Sequence, residues 1–125
     1  PIETYIGDIN LFAILDNEET LKSLNPNFSK LINLDGQGLI VSSQSNKYDF
    51  VSRYFCPKFG IDEDPVTGSA HTTLIPYWSD KLNSADMLAK QVSERGGVLH
   101  CKNQDTRVLI GGKAVLYMKG EIEVN

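Results

Sequence analysis

Hydrophobic and polar positions alternate from the start of the chain. In "YIGDINLFAIL", Tyr5, Ile9, Leu11, Ala13 and Leu15 fall on one side of a period-two pattern, thickened at its far end by Phe12 and Ile14. That spacing predicts a strand entering a core. Asp16 and Glu19 then have capping-box spacing, and Leu21, Leu24, Phe28, Leu31 and Ile32 recur at helical intervals. Pro26 is expected to split this stretch into two short helices. "GQGLIVSSQ" and "KYDFVSRYF" predict two further strands around a polar turn near Ser45 and Asn46.

The irregular segment "CPKFGIDEDPVTG" leads into a second helical pattern carried by Ala70, Leu74, Tyr77, Trp78 and Leu82. It is apolar over much of its circumference, which predicts a buried helix. Pro76 is expected to bend it, with Thr72 or Thr73 available for the freed carbonyl. A short helical turn is predicted near "SADMLAK". The tail from Gln91 to Val124 reads as a strand meander punctuated at Gly96-Gly97, Asn103 to Asp105, Gly111-Gly112 and Lys119-Gly120. The sum is one α+β domain over residues 1–125, with about seven strands around one main buried helix.

Composition narrows what such a domain does. With 125 residues, 41% of them hydrophobic, the chain buries roughly two-thirds of its unfolded surface in a single core. Twelve basic against sixteen acidic residues leave a net charge of -4, and no stretch clusters Lys and Arg with aromatics, so nucleic acid is not an expected partner. No apolar run reaches the ~20 residues that cross a bilayer, and no signal peptide is evident, so the expectation is a soluble, cytoplasmic protein without a membrane partner. Cys56 and Cys101 lack zinc-site spacing and read as free, buried thiols. The chain starts at Pro1 rather than Met, as expected of a processed product or a piece of a longer protein.

The segment "DEDPVTGSAH", residues 62–71, carries the chemistry. A helix starting near Thr67 or Gly68, with Asp64 and Thr67 as candidate caps, leaves the backbone N–H groups of Gly68, Ser69 and Ala70 unpaired. Such donors, backed by the helix dipole, suit a carboxylate or phosphate. Gly68 allows close approach, the small Ser69 and Ala70 leave room, and the Ser69 hydroxyl adds a hydrogen bond. Asp64 is placed to bond a substrate amine or hydroxyl, or to join in proton transfer. The plain alternative is that Asp64 only caps the helix and Gly68 only turns the chain.

Other chemistries fit less well. The glycine is followed by no Lys, as a P-loop requires. Ser69 and His71, two apart on a helix, point away from each other and make no nucleophile-base pair. His71 and His100 are too few for a metal site and read as hydrogen-bonded or surface residues. Arg95, before Gly96-Gly97, either faces a ligand or, as the plainer reading, is a solvated strand end.

"FVSRYFCPKFGIDEDPVTGSAH", "PYW", "QVSERGG" and "VLIGGKAV", in this order, resemble the carboxy-terminal half of the phenazine-biosynthesis PhzF-like isomerase family. The likeness is sharpest from Phe50 to Val115. It implies a diaminopimelate-epimerase-like lobe, a mostly antiparallel, barrel-like sheet wrapped around one central buried helix. It also implies a second, amino-terminal lobe as partner, a substrate cleft between the lobes, chemistry without a cofactor or metal, and in many members a homodimer. The phenazine-pathway member isomerises a dihydro-hydroxyanthranilate by proton transfer. Through the motif, Asp64 and Ser69 correspond to catalytic polar residues of the cleft, and Thr67, Gly68, Ser69 and Ala70 to the helix start that binds the substrate carboxylate. The family's principal acid/base is a glutamate near a Gly-Asn-Pro motif in the amino-terminal lobe, and these 125 residues contain no such motif.

Three functions therefore stand at the level of sequence. The chain is a lobe of an isomerase acting on a small carboxylated metabolite, a stand-alone small-anion-binding module, or a lobe that only pairs with another lobe.

Overall fold

In the computed structural model, which describes residues 1–124, seven strands lie side by side in chain order. They are β1 (Glu3–Ile6), β2 (Asn10–Ile14), β3 (Gly38–Gln44), β4 (Phe50–Phe55), β5 (Asp86–Gln91), β6 (Gly97–Gln104) and β7 (Arg107–Gly111). Three α-helices accompany them: α1 (Glu18–Ser23), α2 (Phe28–Leu31) and α3 (Gly68–Leu82).

The sheet is mixed. The pairs β2–β3 and β4–β5 are parallel and the other four are antiparallel. Each parallel pair needs a crossover, supplied by α1 and α2 in the first case and by α3 in the second. Because β4 runs opposite to β2, the usual right-handed crossover places these two connections on opposite faces.

Two apolar clusters on the two faces match that placement. Phe12, Ile14, Ile40, Phe50 and Tyr54 pack with Ala70, Leu74, Ile75 and Trp78 of α3. Their strand neighbours Ala13, Val41, Val51 and Phe55 pack with Leu21 of α1, and Phe28 and Leu31 of α2 close over them. Adjacent strand residues thus serve opposite cores, as the two-residue period of a strand requires. Aromatic rings reinforce the α3 side: Trp78 stacks on Phe50 at 5.8 Å, and Tyr77 meets Phe12 edge-on at 5.1 Å.

Several elements differ from the sequence expectation. The single strand foreseen from Tyr5 to Leu15 is a hairpin, with Gly7 N–H donating to Asn10 O at 2.9 Å and β1 folding back on β2. The cap of α1 is Asn17, whose Oδ1 accepts Thr20 N–H at 2.7 Å, rather than Asp16. Leu15 N–H still donates to Ser42 O, which keeps the chain paired with β3 up to the residue before Asp16, and the helix begins only at Glu18. Pro26 does separate α1 and α2.

The turn foreseen near "SADMLAK" is strand β5. Asn83, at φ 50°, ends α3, and pairing with β4 and β6 overrides the local helical preference. Neither Thr72 nor Thr73 is seen to bond the carbonyl freed by Pro76; the Thr72 hydroxyl donates to Ser69 O instead. Beyond Gly111 the residues to Val124 carry no assigned strand and are exposed, because an alternating pattern becomes a strand only against a partner edge. The total of seven strands stands, with different members.

Candidate functional site

Residues 62–64 are fastened to the end of β4 before α3 begins. Cys56 N–H donates to Asp62 O at 3.1 Å, Phe55 and Glu63 form an antiparallel bridge, and Asp64 N–H donates to Tyr54 O at 3.0 Å. The Arg53 guanidinium grips the Glu63 carboxylate through Nε–Oε1 and Nη2–Oε2, each 2.9 Å. Its Nη1 donates to Leu21 O at 3.2 Å and Leu24 O at 2.7 Å, at the carboxy end of α1. One side chain thereby ties α1, β4 and the loop bearing Asp64 into a single unit.

The helix start has its own set of bonds. Thr67 is the N-cap of α3, yet its side chain caps no amide; its hydroxyl donates to Asp64 Oδ2 at 2.5 Å. Thr67 N–H goes to Oε1 of Gln91, on β5, at 2.8 Å. Gln91 Nε2 donates in turn to Asp64 O at 2.7 Å and Thr67 Oγ1 at 3.0 Å. The plain reading of Asp64 as a helix cap therefore fails: its carboxylate meets a hydroxyl and no first-turn amide among the described residues.

The amides of Gly68, Ser69 and Ala70 follow the cap as first-turn donors without a side-chain partner among the described residues. Gly68 and Ser69 are exposed, whereas the Ala70 methyl is buried in the core and contributes packing rather than room for a ligand. Gly68 has unobstructed space around it: an added Cβ would meet nothing within 4 Å. Neither packing nor a left-handed φ within this chain calls for glycine there.

His71 turns inward, away from exposed Ser69. Its Nδ1 lies 2.7 Å from Thr67 O, a pure acceptor, so Nδ1 carries the proton and Nε2 is a bare acceptor. Burial holds its pKa below the ordinary value, and Nε2 meets no partner among the described residues. Both thiols are free and buried, and burial pushes that of Cys101 up to about 11.

Beside Gly68 lies a cleft of about 930 Å³, bordered also by Val66, Arg95, Gly97, His100 and Lys113, with no acidic residue in its lining. Arg95, exposed at the turn into β6, borders it and a neighbouring groove with Glu63 and Pro65. The two glycines after it have different reasons. Gly96 sits at φ 66°, and a Cβ on Gly97 would lie 2.5 Å from Val66 Cγ2.

Comparison with known proteins identifies the family of the chain. A family model described as phenazine biosynthesis-like protein (PhzC-PhzF) matches residues 2–120. The chain belongs to the PhzC-PhzF family. A protein of Pseudomonas aeruginosa named as an uncharacterized isomerase is 43% identical over 125 residues, covering all of this chain and 48% of that protein. Another so named, from Halalkalibacterium halodurans, is 52% identical over 110 residues, covering 86% of this chain and 42% of that one. A crystal structure of a PhzF-family phenazine biosynthesis protein from Enterococcus faecalis superimposes with a TM-score of 0.87 at 50% identity, over 97% of this chain and 46% of that one. The chain thus spans under half the length of the PhzC-PhzF relatives it matches.

Sequence reasoning located Asp64, Thr67, Gly68, Ser69 and Ala70 on one loop and helix start, and the fold keeps them together. It missed Gln91 and the Arg53–Glu63 pair. The available signal for Gln91 was the alternation Met87, Ala89, Gln91, which puts a polar amide on the buried face of a strand. Reading Met87 and Ala89 as part of a helical turn, with the strands starting only at Gln91, concealed the alternation.

Proposed function

We propose that this chain supplies the substrate-holding half of a cofactor-independent isomerase or epimerase of the PhzF-like type. The substrate would be a small carboxylated metabolite. The carrying observation is that a carboxylate held by Thr67 stands next to three uncapped helix-start amides at an unobstructed glycine. In this reading the amides of Gly68, Ser69 and Ala70 receive the substrate carboxylate, and the Ser69 hydroxyl adds a bond. Asp64 accepts from the substrate's amine or hydroxyl and assists proton transfer.

The principal base is expected from a second, amino-terminal lobe, where the resemblance places a glutamate. It removes a carbon-bound proton, the electron pair moves into the carboxylate system, and the proton returns at another carbon in an isomerisation or to the opposite face of the same carbon in an epimerisation. Nothing is gained or lost, so no redox partner enters. The amides oppose the charge that develops on the carboxylate. The finer fold assignment, a diaminopimelate-epimerase-like lobe wrapped about its helix, belongs to the same proposal. It is supported by a core cluster that joins α3 to residues from β2 through β6, with Val108 of β7 packed against it.

The test is solvent deuterium uptake. The complete natural polypeptide carrying this chain, incubated in D2O with a dihydro-hydroxyanthranilate and with related cyclic and amino-acid carboxylates, should place deuterium on carbon in at least one of them. No uptake by any member of the panel overturns the proposal. A stand-alone anion-binding module is the second reading, favoured by the acid-free lining of the cleft beside Gly68. Calorimetry with benzoate and inorganic phosphate on this chain alone decides it.

A further inference from the structure

We infer that Gln91 is the positioning residue of this site, setting the direction in which Thr67 donates and hence which oxygen of Asp64 is left for a substrate. The inference rests on the role proposed above for Asp64. Gln91 is fully buried, and its amide orientation follows from its partners. Thr67 N–H faces Oε1 at 2.8 Å, while Asp64 O faces Nε2 at 2.7 Å. A flipped amide would set two donors against each other and two acceptors against each other.

With Nε2 fixed, its second hydrogen is donated to Thr67 Oγ1 at 3.0 Å. A hydroxyl that accepts from Gln91 has its single proton free to point elsewhere, and the acceptor in reach is Asp64 Oδ2 at 2.5 Å. The relay runs from Gln91 to Thr67 to Asp64. It occupies Oδ2 and leaves Oδ1 to receive a substrate donor. Gln91 also holds the backbone on both sides of Pro65, at Asp64 O and Thr67 N–H, so the loop cannot swing without breaking buried bonds. Ser93 Oγ, two residues on, donates to Pro65 O at 2.7 Å and braces the turn between them. Glutamate at 91 would bring an oxygen against the Asp64 carbonyl, so shape alone does not satisfy the position.

Two measurements test this. In the complete polypeptide, the rate of deuterium uptake into whichever carboxylate of the panel above the parent labels is compared per folded molecule for Gln91→Met, Gln91→Glu, Thr67→Val and Thr67→Ser. Expected is a loss of at least about tenfold in kcat, with KM within about threefold, for the first three, and near-normal kcat for Thr67→Ser, which keeps the hydroxyl. The Gln91→Met, Thr67→Val double variant should be no slower than the worse single, since both cut one relay.

In this chain by itself, side-chain scalar couplings should report one Asp64 rotamer in the parent and in Thr67→Ser, and averaged rotamers in Gln91→Met and Thr67→Val. A single Asp64 rotamer in both of the latter, or kcat within twofold of the parent for Gln91→Met, overturns the inference. If Gln91→Met does not fold, Thr67→Val, which spares the backbone bonds, decides. Absence of deuterium uptake by the parent into every member of that panel refutes the isomerase reading, and the couplings still judge Gln91.

Discussion

Arg53 and Glu63 face each other through two parallel hydrogen bonds of 2.9 Å, with the two side chains only 14% and 19% exposed. The same guanidinium satisfies carbonyls at the end of α1. Removing it strands both the carboxylate and those carbonyls. Arg53→Met should lower the stability of the chain by about 2–4 kcal/mol in urea unfolding. Arg53→Lys should recover less than half of that, since an ammonium cannot fork across a carboxylate and reach α1 as well.

Ser42 and Ser43 are adjacent and equally buried, yet they should respond in opposite ways to replacement. Ser42 Oγ donates to Val51 O at 2.7 Å and accepts Trp78 Nε1–H at 2.9 Å. Ser42→Ala leaves the indole N–H unmet and should cost about 1–3 kcal/mol. Ser43 Oγ has no partner among the described residues, so Ser43→Ala should be neutral or slightly stabilising. Thermal melts of the two variants side by side check the contrast.

His71 provides a pH signature. Burial lowers its folded-state pKa beneath the ordinary 6.5, so the unfolded chain binds more protons in the window just below that value. Its contribution is complete above about pH 6.5 and is lost as the pH falls. Glu18, whose pKa is lowered chiefly by its bond with Lys22, adds a loss that begins only as the pH drops toward the carboxylate range. Urea unfolding at pH 7.5, 6.5 and 5.5 should therefore show declining stability in the parent. In His71→Phe the decline between 6.5 and 5.5 should largely disappear.

Gly68 separates fold from function. Its Cβ position is empty and α3 begins there, so Gly68→Ala should leave the melting temperature unchanged or raise stability by up to about 1 kcal/mol. The bulkier Gly68→Val should abolish binding of a carboxylate probe such as benzoate by the complete polypeptide while the chain still folds. Calorimetry and a thermal melt on the same variant give both readouts.

Much of α3 was legible in advance. Its apolar spacing and the start at Gly68 depend on residues within a few positions of one another, and the structure keeps both. The strands β3 and β4 were legible too, although their near-continuous apolar runs hid the fact that alternate residues serve two different cores. The hairpin at Gly7 and the strand β5 were not. Exposed Tyr5 and Ile6 give β1 no buried face to mark it, and β5 takes its shape from β4 and β6 on either side.

The sequence by itself determined the helix of the site, the loop that precedes it and the family to which the chain belongs, because each of these is written in contiguous residues. The tertiary structure alone decided how the bonds around Asp64 are arranged. Its neighbour Thr67 is three residues away, but the amide that orients Thr67 comes from Gln91, 24 residues further on, and reaches it only because β5 lies parallel to β4. Hydrogen bonds of that kind are set by which strands pair. No local spacing encodes strand pairing, since it depends on the burial of both sheet faces at once.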